Sequence, residues 1–206
     1  MKKNYVSNSE ESVRMFKSNF MEFFSKVHFS VPLFLYVPVV LFFAIKAFVS
    51  EHVSVLAFVG FYLIGILTWS VAEYFLHRFV FHFVPESKWG LRMHFVFHGV
   101  HHDYPNDTKR LVMPPAVSIP LAFLFYFLFS TFLNKALLWS FFPGFVSGYL
   151  FYDITHYALH HFNFKAEFWK RLKKHHMLHH YSDSTKGYGV SSKLWDKVMQ
   201  SDFAKK

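Results

Sequence analysis

Four long apolar runs punctuate the chain: Val31–Ser50, Val53–Leu76, Pro115–Leu133 and Ala136–Thr155. Each approaches the ~20 residues that cross a ~30 Å hydrocarbon core at ~1.5 Å rise per residue. A soluble fold of this length rarely buries so many long apolar helices, so the pattern predicts an all-α integral membrane protein with four transmembrane helices. Glu51 and His52 join the first two runs, and Asn134 and Lys135 join the last two, so each pair predicts a hairpin that leaves and returns to one side. The polar stretches 1–30, 77–114 and 156–206 then share a face. The expected organisation is an N-terminal segment, 1–30, followed by one membrane domain, 31–206, capped by 77–114 and 156–206. Of the 22 Lys and Arg, only Lys46 and Lys135 fall away from that face. The positive-inside rule therefore puts it in the cytoplasm.

Composition strengthens this reading. The 206 residues are 53% hydrophobic and include 30 Phe, 11 Tyr and 5 Trp, well beyond a soluble domain. The formal charge of +9 is spread over the polar stretches without a recognition motif, which points to anionic lipid head groups and away from nucleic acid. Lys165–Lys174 mixes aromatic and basic residues as an interfacial segment does. The first 26 residues lack the basic, apolar, small-residue order of a cleaved signal.

Histidine changes the picture most. Fifteen are present and cysteine is absent, which excludes thiolate sites and disulfides. Most fall into spaced clusters: His77…His82, His98-x2-His101-His102, His156-x3-His160 and His176-x2-His179-His180. Imidazole suits iron, zinc, copper and nickel, and ten clustered histidines exceed the need of one ion, so a pair of metals is expected. Residues three and four apart share a helix face, which makes His94, His98, His101 and His102 one stripe, His156 and His160 another, and His176, His179 and His180 a third. His77 and His82 would diverge by roughly 140° on an ideal helix and need a bend or a helix end to converge. Glu73 and Asp153 each lie about one turn before a clustered histidine, where either can accept a ring N–H or serve an ordinary helix end. His94, His161 and His175 adjoin the clusters but break their spacing and are left outside the site, while His28 and His52 are expected at the surface.

These stretches resemble the fatty acid hydroxylase superfamily, and most of all the catalytic domain of fatty acid 2-hydroxylases. The matching segments are Glu73–His82 (EYFLHRFVFH), His94–Pro115 (HFVFHGVHHDYPNDTKRLVMPP), Tyr152–His161 (YDITHYALHH) and His175–Asp196 (HHMLHHYSDSTKGYGVSSKLWD). Histidine boxes also occur in membrane desaturases and in sterol and carotenoid hydroxylases. Pro105, Asp107 and Arg110–Pro115 favour the 2-hydroxylase branch, and Gly187–Asp196 supports it.

The resemblance implies metal ligation by His77, His82, His98, His101, His102, His156, His160, His176, His179 and His180. The doublet His175-His176 leaves the register ambiguous, and the x2 spacing selects His176. It also implies four membrane helices under a cytosolic helical cap that holds a dinuclear centre. The working metal is taken to be iron, although zinc has been found there in the family. Zinc has no redox chemistry, whereas iron can activate O2 for insertion into an unactivated C–H bond. The implied reaction is hydroxylation at C2 of a fatty acyl chain, free or ceramide-linked, with no catalytic side chain beyond the ligands. Arg110 has two expected uses, contact with the lipid head group or anchorage at the membrane interface. Tyr181, Tyr188 and Trp195 either line the acyl path or pack the cap.

About thirty residues precede the first run, too few for the cytochrome b5-like domain of many relatives. Electrons are therefore expected from a separate donor, such as ferredoxin or cytochrome b5 with its reductase. The short N-terminus leans towards a bacterial inner membrane, with the endoplasmic reticulum as the alternative. A membrane zinc hydrolase would need an H-E-x-x-H helix, which the chain lacks. A metal transporter or binding protein would place its ligands within the spans.

Overall fold

A computed structural model describes residues 4–203, so the extreme ends of the expected segments 1–30 and 156–206 lie outside the described residues. Helices alone make up its regular structure, with no strand among the described residues. A short helix α1 (Asn19–Phe24) precedes α2 (Val31–Val49) and α3 (Val55–Phe75). Helix α3 continues without a break into a π-helical turn, Leu76–Phe81. Next come α4 (Lys88–His94), a second π-helical turn (Phe95–Gly99) and α5 (Val100–Asp103). Helices α6 (Pro115–Ser130), α7 (Lys135–His161), α8 (Glu167–Tyr181) and α9 (Leu194–Val198) complete the order.

Local chemistry sets the hairpin ends. Ser54 and Asn134 cap α3 and α7 by accepting from Ala57 N and Leu137 N. Pro115 starts α6, where its missing N–H is not needed. Helix α7 is the hub and packs chiefly against α3 and α2. Gly65 and Gly144 permit this approach: a Cβ at Gly65 would strike the backbone of Phe141 and Phe145, and one at Gly144 the backbone of Tyr62. Around that contact Trp69, Phe142, Phe145, Tyr149 and Tyr152 form an aromatic core.

Two helices, 31–49 and 55–81, are long and apolar enough to cross a bilayer, and α6 is an apolar helix of 16 residues, shorter than the run that predicts it. Large apolar side chains on these helices are bare, with Leu56 85% and Phe34 80% exposed, which in water would be costly and in lipid is not. Helix α7 differs: most of its side chains are buried, and it runs past Thr155 to carry His156 and His160 into the cap.

The segment before α2 is part of the fold. Val6 N and Ser7 N donate to Asp103 O, Val27 N donates to Lys109 O, and Asn4 reaches Ser182 O. Residues 4–30 thus form a strap over the cap.

Candidate metal centre

The ten clustered histidines converge in the cap as two groups of five. One joins His77, His82, His98, His102 and His179, and the other His101, His156, His160, His176 and His180. In each group the nearest ring nitrogens lie within 4.8 Å of one another. The division cuts across the stripes that spacing alone suggests. Each x2-His-His box sends its i, i+4 pair to one group and its remaining histidine to the other: His98 and His102 against His101, and His176 and His180 against His179. Neighbouring residues on a helix point about 100° apart, so one helix can face two sites at once.

The divergence of His77 and His82 is resolved by the π-helical turn between them. His82 N donates to His77 O at 3.1 Å, an i to i+5 bond that lines up residues five apart. Their Nε2 atoms then lie 3.2 Å apart. The second π-helical turn separates His94 from His98, and His94 joins neither group. His161, His175, His28 and His52 also stand outside both groups, and His28 and His52 are exposed.

Hydrogen bonding cannot close these groups. His98 Nε2 faces Nε2 of His77 at 3.1 Å, of His82 at 3.1 Å and of His102 at 3.0 Å, yet an imidazole nitrogen carries at most one proton. In the second group Nε2 of His176 faces His160 at 2.9 Å and His180 at 3.2 Å, and both ring nitrogens of buried His101 have no hydrogen-bond partner among the described residues. A metal with bonds of ~2.1 Å to imidazole holds right-angled ligand pairs about 3.0 Å apart, which fits these spacings. The donor set therefore fits two metal ions.

Protonation agrees with ligation. Burial first, and neighbouring imidazoles second, hold His98, His101, His102, His176 and His180 well below the usual histidine range. Burial and the same crowding take His82 to about 2. His179 falls to about 4 through burial, partly offset by its bond to Lys186 O. Neutral rings with free lone pairs are what a metal needs.

Three expected roles are corrected. Glu73 does not accept a ring N–H from a cluster; its Oε1 accepts from Val190 N and Ser191 N, and its Oε2 from Ser191 Oγ. Its side chain leaves α3 towards the loop after α8, while His77 gives its Nδ1–H to Tyr188 O. Asp153 likewise turns from His156 to accept from Met113 N and Tyr149 Oη. Arg110 turns its charge to the strap and not to a head group: Ser25, Val13 O and Glu22 accept from its terminal nitrogens, and its buried Nε lies 3.4 Å from Asp107 without a hydrogen bond. Tyr181, Tyr188 and Trp195 pack the cap. Tyr181 meets Tyr5 and Asn8, Tyr188 faces the His77, His82 and His179 rings, and Trp195 donates to Ser70 Oγ.

A cavity of about 410 Å³ opens against both groups, within the ~300–1,000 Å³ of small-molecule sites. His98 belongs to one group and His101 and His156 to the other, and all three line it. Its walls are apolar, among them Phe81, Val100 and Leu111, and the strap contributes Phe16, Phe20 and Phe24. The spacing of the histidines gave no sign of this cavity, because its lining comes from the strap, the 77–114 segment, the start of α6 and α7.

Histidines fit to hold two metals at the end of an apolar cavity, beside helices long and apolar enough to cross a bilayer, define an all-helical protein with a metal-binding histidine site. The chain belongs to the fatty acid hydroxylase family, whose family model matches residues 62–201. It is 39% identical to the dihydroceramide fatty acyl 2-hydroxylase FAH1 of Arabidopsis thaliana, over 93% of this chain and 80% of that protein. With the human fatty acid 2-hydroxylase it shares 36% identity over 89% of this chain and 55% of the relative, so it spans about half the length of that protein. The solved structure of full-length Scs7p, in which only the hydroxylase domain is visible, superposes with a TM-score of 0.86 at 36% identity, over 90% of this chain and 70% of that one.

Proposed function

We propose that this protein is a membrane fatty acid 2-hydroxylase that uses O2 and two metal ions to hydroxylate C2 of a fatty acyl chain, free or ceramide-linked. The observation that carries the proposal is the cavity: an apolar space that meets histidines of both groups is where an acyl chain can present one carbon to a dinuclear centre. The names of the relatives support the substrate class. Ligation falls to His77, His82, His98, His102 and His179 for one ion and His101, His156, His160, His176 and His180 for the other. Iron at these positions supplies the redox chemistry that O2 activation requires; zinc can occupy such ligands but does not supply it.

The chain's own residues bind, orient and exclude water. Tyr188 O and Lys186 O fix the tautomers of His77 and His179. Phe81, Val100 and Leu111 confine the acyl chain and keep the site dry, and the strap aromatics close the cavity from above. Hydroxylation consumes O2, two electrons and two protons and yields one water besides the product. A separate donor, such as ferredoxin or cytochrome b5 with its reductase, would deliver the electrons.

In the membrane, α2 with α3 and α6 with α7 form two hairpins, and the cap faces the cytoplasm with nearly all of the Lys and Arg. Residues 31–206 act as one domain. The bare apolar flanks of α2, α3 and α6 support this placement.

The test is mass spectrometry of hydrolysed total lipids from a host that expresses the chain with a redox partner, beside an H179A/H180A variant. New 2-hydroxy fatty acids that vanish in the variant are the expected result. Hydroxyl groups at other carbons, or new double bonds, would overturn the C2 assignment while leaving an oxygenase. No lipid change with metal and electrons supplied would overturn the fatty acyl substrate.

A further inference from the structure

The two histidine groups are held differently, and the difference lies in the loop after α8. His77 donates its Nδ1–H to Tyr188 O at 2.5 Å, and His179 donates its Nδ1–H to Lys186 O at 2.6 Å. Both carbonyls flank Gly187, whose φ of 72° turns the backbone so that each faces the pocket. A ring that donates through Nδ1 presents the Nε2 lone pair to a metal. In the second group Nδ1 of His101, His160, His176 and His180 finds no hydrogen-bond partner among the described residues, and the backbone group beside His156 is that of Leu111, outside this loop.

Two buried carboxylates outside both groups fix this loop. Asp196 Oδ1 accepts from Tyr188 N at 2.9 Å and Ser201 Oγ at 2.8 Å, and Oδ2 accepts from Gly189 N at 2.8 Å and faces His175 Nε2 at 2.9 Å. Glu73 Oε1 accepts from Val190 N and Ser191 N, both at 2.8 Å, and Oε2 accepts from Ser191 Oγ at 2.6 Å. Consecutive amides from Tyr188 to Ser191 are thus held from both sides.

We propose that the loop Lys186–Ser191, clamped by Asp196 and Glu73, positions the ligands of only one metal site, that of His77, His82, His98, His102 and His179. Asp196 and Glu73 are positioning residues: they act on His77 and His179 through the carbonyls of Tyr188 and Lys186. The inference rests on the dinuclear reading above and deepens it, because it makes the two sites unequal. Damage to the clamp should loosen one ion and spare the other.

The chemistry of the clamp chooses the variants. Asn at 196 can keep the partners of Oδ1 but turns an amide towards Gly189 N, donor against donor, and frees the loop. Ala at 73 removes the other clamp. Gln at 73 keeps Oε1 for both amides and sets its NH2 against the Ser191 hydroxyl, which can accept, so it should restore what Ala loses. Support of this kind is worth ~10–100-fold in metal affinity.

The test is Zn2+ titration of the metal-stripped full chain in detergent against a chromophoric chelator, with Co2+ absorption spectra as a second readout. Wild type should take two tight equivalents. D196N and E73A should each keep one and weaken the other about 10–100-fold, with the surviving cobalt bands matching those of H77A and not H176A. E73Q should recover the second equivalent to within a few-fold. Both equivalents weakened together, failure to fold included, would overturn the proposal, as would both unchanged in D196N and E73A. Fewer than two equivalents in wild type would instead overturn the dinuclear reading itself.

Discussion

The strap, residues 4–30, and the C-terminal loop, residues 186–203, both lie outside the helices that carry the histidines, and both are held by buried carboxylates. They meet the site with different chemistry. The strap offers side chains: Phe16, Phe20 and Phe24 line the cavity, while Glu22, Asp107 and Arg110 pin it from behind. The loop offers backbone, two carbonyls aimed at His77 and His179. Side chains can be exchanged one at a time, so a substrate cavity roofed by them can be reshaped by substitution. A carbonyl is the same in every residue, so a loop that works through carbonyls is fixed by its path and not by its side chains. Under the proposed function the molecule divides its labour accordingly, with an adjustable wall for the acyl chain and a wall of fixed chemistry for the metal ligands.

The sharpest way to break this comparison is to bend the loop without touching a ligand or a clamp. Gly187→Ala places a Cβ against the Phe203 and His175 rings and forces an L side chain to φ 72°, a conformation that alone costs about 1–2 kcal/mol. Formation of 2-hydroxy product should fall at least ~10-fold, with about one metal lost per chain. Gly60→Ala is the control, because a Cβ there meets nothing within 4 Å and the same substitution should be neutral. Equal losses in both variants would show that the loop's path does not matter.

The strap should fail in the complementary way. Arg110→Met leaves Asp107 buried without a cation and Glu22 with Lys26 alone, and breaking a buried ion pair costs up to ~3–5 kcal/mol. The strap should then be cut readily by proteases within residues 4–30, and the chain-length profile of the product should broaden as the cavity loses its roof. Metal content should stay at two per chain. Metal loss with an unchanged product profile would reverse the assignment of the two regions.

What the sequence made legible follows from periodicity. Apolar runs located α2, α3, α6 and about the first three-quarters of α7 within a few residues, because burial in lipid depends on length and apolarity alone. The ten clustered histidines could be picked out as a set, but not sorted. The x2-His-His boxes divide because one helix can face two sites, and the convergence of His77 with His82 depended on the π-helical turn Leu76–Phe81, which helical periodicity assumes to be absent. Asp196 and Arg110 were visible only as members of the stretches that carry the family resemblance, and what they hold is set by the fold: Asp196 holds the preceding loop against His77, and Arg110 pairs with Glu22. Glu73 and Asp153 misled for the same reason, since proximity along a helix says nothing about a loop more than a hundred residues away, or about Met113.

The smallest expected effect concerns acid. Burial alone would raise the Glu22 carboxyl, but the Phe16 and Met15 amides, Lys26 and Arg110 together bring it from 4.5 to about 2. A carboxyl depressed on folding adds stability that is fully present above its unfolded value of about 4.5 and is lost as pH falls towards 2. Strap docking should therefore be level above pH 5 and weaken between about 4.5 and 2. Cleavage by an acid-active protease at the exposed Phe20–Phe24 stretch, relative to a site elsewhere in the chain, should rise a few-fold across that window. Glu22→Gln cannot ionise, so its strap should be looser at neutral pH and its relative cleavage nearly level over the same range. A wild-type strap equally protected at both ends of the window would mean that Arg110 is held by Asp107 and the Ser25 and Val13 oxygens without help from Glu22.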